Sequence, residues 1–211
     1  MLGLLLAASV ATAIDAAPAQ SAIDAERAFA ADAWTLGQWT AFKKWSTKDA
    51  LMFIPQPVNA HEFLEGRKNP PVPVFWWPGR SYVSCDGSHA VNTGPWVREG
   101  GKAVGYFTTV WKRQADGGWK WVYDGGDALQ TPRAEGGDIK PVVAACGGRL
   151  PPAPVAEVDP DLKLGSGESP DGTLRWHWSV APDGSRNFRA WLLTAEGAKI
   201  VVDDRVAAPK P

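Results

Sequence analysis

Between Ser81 and Asp127 the chain alternates short apolar runs with tight turns, and this pattern most constrains the fold. "RSYVSCD" turns at Asp86-Gly87-Ser88 into "HAVNTGPWV". Glu99-Gly100-Gly101 leads into "AVGYFTTVWKRQ", and "ADGG" leads into "WKWVYD". Asp-Gly and Gly-Gly pairs between β-rich runs are hairpin signals. Four or five consecutive antiparallel strands are therefore expected, beginning with "VPVFWW" at Val72.

The segment before these strands has the other periodicity. Ser21 can cap a helix, with Asp24 in the reciprocal position. Ala22, Ala25, Phe29, Ala33 and Leu36 follow at three- and four-residue steps, forming one apolar face. Gly37 interrupts, and Trp39, Phe42 and Trp45 continue a second short helix. "DALMFIPQP" reads as a strand stopped by proline, and Asn59 caps a third short helix. Helices followed by a run of strands predict an α+β fold with helices on one face of a curved sheet.

The first residues form a separate unit. "MLGLLLAASVATA" is too short an apolar run to span a bilayer. Small residues follow at Ala11-Thr12-Ala13 and Ala17-Pro18-Ala19, as at an export cleavage site. The usual basic start is missing, since the first Lys or Arg is Arg27. Residues 1–19 are expected to be a signal peptide, which implies a periplasmic or secreted protein. The two cysteines, Cys85 and Cys146, are then expected to pair, closing a loop of about 60 residues.

Composition excludes several partners. The net charge of −1 over 211 residues leaves no electrostatic footprint for nucleic acid. No later segment is long and apolar enough to span a membrane. Twelve tryptophans are far more than a chain this size needs at its surface, so they fill a core, line a pocket or form an adhesive face.

The stretches "IDAERAFAADAWTLGQWTAF", "KDALMFIP" and above all "GYFTTVWKRQADGGWKWVYD" resemble the nuclear transport factor 2-like superfamily, in its SnoaL-like and ketosteroid-isomerase-like branch. The resemblance covers about residues 21–127. It implies a cone-shaped, bent antiparallel sheet wrapping the N-terminal helices, with a pocket at the wide end. It also implies a domain over 21–130. The family includes isomerases, dehydratases and cyclases as well as members without activity, so fold alone assigns none of these.

Residues 131–172 are rich in Pro, Gly and Asp and read as a linker. Residues 173–206 read as a three-stranded β extension: "TLRWHWSVA", "NFRAWLLT" and "AKIVVDDRV". Leu174, Trp176, Trp178 and Val180 alternate with polar residues, giving one apolar face that should dock on the first domain or on a partner.

Trp76, Trp77, Trp96, Tyr106 and Trp111 are the candidate ligand-binding residues, for a small apolar molecule. Adjacent Trp76 and Trp77 must point to opposite faces of their strand. Asp124, with His61 or Tyr106, is the candidate catalytic group, because the resemblance places this strand end and the third helix at the pocket. A carboxylate against apolar walls can become a general base. The favoured reading of Asp124, however, is a structural stop: the strand ends there, and Gly125 and Gly126 turn the chain and donate to the carboxylate. No two histidines share metal-ligand spacing, "DPDLKLGSGE" fails as a calcium loop, and no nucleotide fingerprint is present, so neither metal nor cofactor is expected. The reading thus admits a ligand-binding protein, an enzyme of the isomerase, dehydratase or cyclase type, or an interaction module using the Trp-bearing tail. It also admits a homodimer.

Overall fold

The structure is a computed structural model that describes residues 20–133, 138–152 and 159–210; the expected signal peptide lies outside the described residues. Helix α1 spans Ala22–Thr35. Ser21 Oγ accepts from the Asp24 N–H at 3.1 Å and the Asp24 carboxylate accepts from the Ser21 N–H, the reciprocal cap read from the sequence. Leu36, expected on the apolar face, instead caps the C-terminus and is half-exposed. Helix α2, Gln38–Trp45, receives its N-terminal cap from a distance. Asn69 Oδ1 accepts from the N–H groups of Trp39 and Thr40, at 2.7 and 3.2 Å. Helix α3 is a single turn, Ala60–Phe63, started by Asn59.

Eight strands form the first sheet. They are β1 Ser46–Phe53, β2 Pro57–Asn59, β3 Phe75–Trp76, β4 Arg80–Val83, β5 His89–Arg98, β6 Ala103–Arg113, β7 Trp119–Leu129 and β8 Val142–Val143. Their order is β2-β1-β7-β6-β5-β4-β8, with β3 also alongside β5. The sheet is curved and does not close. It is not purely antiparallel as expected: β1 runs parallel to β7, and β8 parallel to β4. Both parallel partners arrive from distant chain segments, so no hairpin fixes their direction.

The second sheet has four strands rather than three: β9 Lys163–Glu168, β10 Leu174–Val180, β11 Arg186–Thr194 and β12 Gly197–Val206, in the order β12-β11-β10-β9. Strand β9 comes from the stretch read as linker. Its Gly167 and Gly165 lie opposite Trp176 and Trp178, and the two indole rings cover the glycines so closely that a β-carbon would sit 2.2 and 2.4 Å from ring atoms. An aromatic laid across an edge glycine restores the packing that the missing side chain forfeits.

Two apolar layers result. Phe29 of α1 centres the first, with Phe42 and Trp76 each 4.8 Å away and Trp111 at 6.0 Å between ring centres. The second lies between the sheets. Tyr82, Val91, Val110 and Tyr123 from the first sheet meet Leu174, Trp176, Phe188 and Leu192 from the second. Tyr123 and Phe188 stack with centroids 4.5 Å apart. The apolar face of β10 therefore docks on its own chain. Trp176 is buried, and Trp178 packs 5.3 Å from Phe53.

The segment after β8 fastens the layers. The Ala144 N–H bonds Val83 O at 2.9 Å and the Ala145 N–H bonds Leu193 O at 2.8 Å. Cys146 then forms the disulfide to Cys85, with Cα atoms 5.4 Å apart across a sequence separation of 61. A cross-link over a loop of this length stabilises by about 4 kcal/mol in the chain-entropy model. Reduction is expected to lower the urea midpoint clearly, measured with and without reductant. Coincident transitions would contradict this role.

Candidate functional site

The site lies where two strands part. Strand β1 pairs with β7 only from Ser46↔Trp121 to Leu51↔Tyr123. Beyond Tyr123, β7 continues to Leu129 paired with β6 alone. The strand therefore does not stop at Asp124, which corrects the expectation of a structural stop. Gly125 and Gly126 are strand residues opposite Thr108 and Phe107, and neither donates to the carboxylate. Their role is close approach: a β-carbon on Gly126 would sit 2.1 Å from Tyr106 O, and one on Gly105 would sit 2.1 Å from Asp127 O. Only glycine lets β6 and β7 lie this way.

The gap opens a cavity of about 460 Å3, within the range of small-molecule sites. Helix α2 contributes Trp39 and Phe42, β1 contributes Met52 and Phe53, and Val74 and Trp76 come from β3 and the residue before it. Trp96 of β5 lies across Gly105, a third tryptophan–glycine pair among the described residues. Arg98, Arg186 and Asp127 are the charged residues of the lining besides Asp124.

Asp124 belongs to a polar strip on the helix-covered face. Asn92, Thr109 and Asp124 stand directly opposite one another across β5, β6 and β7. Thr109 Oγ1 donates to Asp124 Oδ2 at 3.1 Å, the one side-chain hydrogen bond this carboxylate makes among the described residues. Asn92 Nδ2 reaches Glu26 Oε2 at 3.3 Å. Glu26 is fully buried and also accepts from Trp76 Nε1 at 2.9 Å and Trp111 Nε1 at 2.7 Å. Burial pushes the Glu26 carboxyl up to about 7 against the pull of these three donors. Burial likewise raises Asp124 to about 7, the Glu26 charge adds to this, and Thr109 opposes it. The site thus holds two carboxyls raised toward neutrality by burial, one of them lining the cavity.

The sequence-predicted residues separate here. Trp76, Trp96, Tyr106 and Asp124 share the cavity lining. Tyr106 is buried, its hydroxyl has no hydrogen-bond partner among the described residues, and the Arg133 guanidinium lies 3.8 Å over its ring. Burial, then the Asp204 charge, raises its phenol above the ordinary value. Trp111 sits one layer behind, buried and bonded to Glu26. Trp77 packs on Phe75 at 5.4 Å, outside the cavity lining. His61 shares a 2.9 Å hydrogen bond with Ser46 Oγ and also lies outside the lining. No group of three or more metal-ligating side chains occurs among the described residues.

Glu26, Arg98 and Arg186 were not singled out from the sequence. Glu26 had a readable signal. It is four residues after Ala22 and three before Phe29, so it falls on the apolar face of α1, where a carboxylate needs a partner.

With one hydrogen bond and an unfavourable buried charge, Asp124 gains little by being ionised. The unfolded chain ionises it near 3.8 and the folded chain near 7, so the penalty is absent below the first value and complete above the second. Asp124→Asn is expected to raise the melting temperature strongly at pH 8 and much less at pH 5. A variant less stable at pH 8 than the parent would contradict this placement.

No protein-family model matches the chain, and no match was found among curated proteins.

Proposed function

We propose that this chain is an exported protein of the nuclear transport factor 2-like type that binds a small, largely apolar molecule between the helices and the bent sheet. The cavity carries this reading: aromatic walls with a few charged groups, Asp124 among them, are the composition of a ligand site, apolar for affinity and polar at a few points for orientation. In this reading the bent sheet is the family's cone and the parting of β1 from β7 its open end. Export is supported by the N-terminal apolar leader and by a disulfide suited to an oxidising compartment. No helix among the described residues is long and apolar enough to cross a membrane.

Ala128, an exposed residue of the lining, allows a test that spares the core. Flat apolar probes should quench the tryptophan fluorescence saturably, and Ala128→Trp or Trp39→Ala should weaken binding about ten-fold. Linear, unsaturable quenching identical in all three proteins would count against the site.

Asp124 favours a second reading, an enzyme moving a proton on the bound molecule. A carboxyl titrating near 7 is matched to general acid–base work at neutral pH. Asp124→Asn would then bind ligand and turn none over. The third reading, a partner-binding tail, has lost its main feature, because Trp176 is buried and Trp178 half-buried against the first sheet.

A further inference from the structure

We propose that the ligand is an anion: a flat apolar carboxylic acid whose carboxylate is held by Arg98 and Arg186 while its body lies among Trp39, Phe42, Trp76 and Trp96. This rests on the reading of the cavity as a ligand site and adds the chemical class of what enters it.

The two arginines are the basis. Arg98 is exposed at the rim, and its guanidinium lies 4.9 Å over the Trp96 ring. Among the described residues its side chain makes no hydrogen bond and no ion pair, so the guanidinium packed on the indole keeps its donors available to a ligand. Arg186 donates from Nη2 to Gly126 O at 2.6 Å and has no carboxylate within ion-pair distance among the described residues. That bond anchors it to β7 and leaves most of its N–H groups available to a ligand. A guanidinium offers paired, coplanar donors that match a carboxylate, and a stacked or anchored one loses less entropy on binding.

The two carboxylates of the lining do not answer these cations. Asp127 Oδ1 accepts from the Ala128 N–H at 2.8 Å, and Asp124 is held by Thr109 on the covered face. Asp124, raised to about 7 by burial, is partly protonated at neutral pH and in that form can donate to a carbonyl or hydroxyl at the inner end of the ligand. A cationic ligand would find suitable aromatic walls but would meet two guanidinium groups at the entrance.

Three probes of one shape separate these cases: 2-naphthoate, 2-naphthamide and 2-(aminomethyl)naphthalene, titrated calorimetrically into the intact oxidised protein at pH 7. Naphthoate is expected to bind about ten-fold more tightly than the amide, and the amine most weakly. Arg98→Gln and Arg186→Gln should each reduce naphthoate binding several-fold while leaving the amide unchanged. Equal binding of acid and amide would overturn the anion proposal and leave the apolar site standing. The same follows if the amine binds most tightly, or if acid preference persists in the double arginine variant. Failure of all three probes to bind, with the Ala128→Trp protein indistinguishable from the parent, would overturn the site itself and this proposal with it.

Discussion

Removal of residues 150–211 is expected to leave a chain that aggregates or melts far below the intact protein. The deletion strips the second sheet from Tyr82, Val91, Val110 and Tyr123, which are buried in one layer with Leu174, Trp176, Phe188 and Leu192. Burial of each large apolar side chain contributes about 1.5–3 kcal/mol. Four on the tail side alone approach 10 kcal/mol, comparable to the whole stability of an ordinary domain. Polar ties are lost as well. Asp204 of β12 is buried, accepts from Thr108 Oγ1 at 2.6 Å and pairs with Arg133, whose Nη1 also donates to Thr93 at 2.7 Å. Circular dichroism melting and sedimentation of the truncated chain decide the matter. A soluble product melting with the parent would show that the two sheets are independent.

Glu26→Ala should have the second largest effect. It leaves the indole N–H groups of Trp76 and Trp111 without their acceptor in the core, reduces the Asn92 amide to its bond with Ala22 O, and opens a void beside Phe29. Each orphaned donor costs about 1–3 kcal/mol, so a loss of about 3–5 kcal/mol is expected. The parent should show the opposite face of the same residue. Its folded carboxyl titrates near 7 and its unfolded one near 4.5. Ionisation therefore favours the unfolded chain as pH rises through that window, by on the order of 3 kcal/mol once complete. Stability should fall from pH 5 to pH 8, and Glu26→Gln should flatten the profile. A flat parent profile together with an Ala variant as stable as the parent would contradict the buried network.

What was legible followed local physics. The caps at Ser21 and Asn59, the Asp-Gly hairpins and the alternating face of β10 each depend on residues a few positions apart, and each is present. The disulfide followed from the even cysteine count and the expectation of export. What escaped depends on partners distant in sequence. Gly165 and Gly167 look like linker residues until Trp178 and Trp176 lie over them. Gly125 and Gly126 look like a turn until the Tyr123 hydroxyl and the Tyr106 carbonyl are seen where their side chains would go. The cavity was only partly readable. Trp76, Trp96, Tyr106 and Asp124 were singled out, but the choice between cavity and core for Trp111 depended on which face of α1 covered it. Arg98 and Arg186 come from different sheets, and nothing in their local sequence relates them.

The central claim, that the cavity between α2, β1 and β7 holds a small molecule, is tested most directly by native mass spectrometry of protein purified gently from the cells that make it. The expected spectrum shows a stoichiometric adduct that is released on unfolding and absent from the Ala128→Trp variant. A parent spectrum at the bare polypeptide mass, with no saturable binding of flat apolar probes, would contradict the claim.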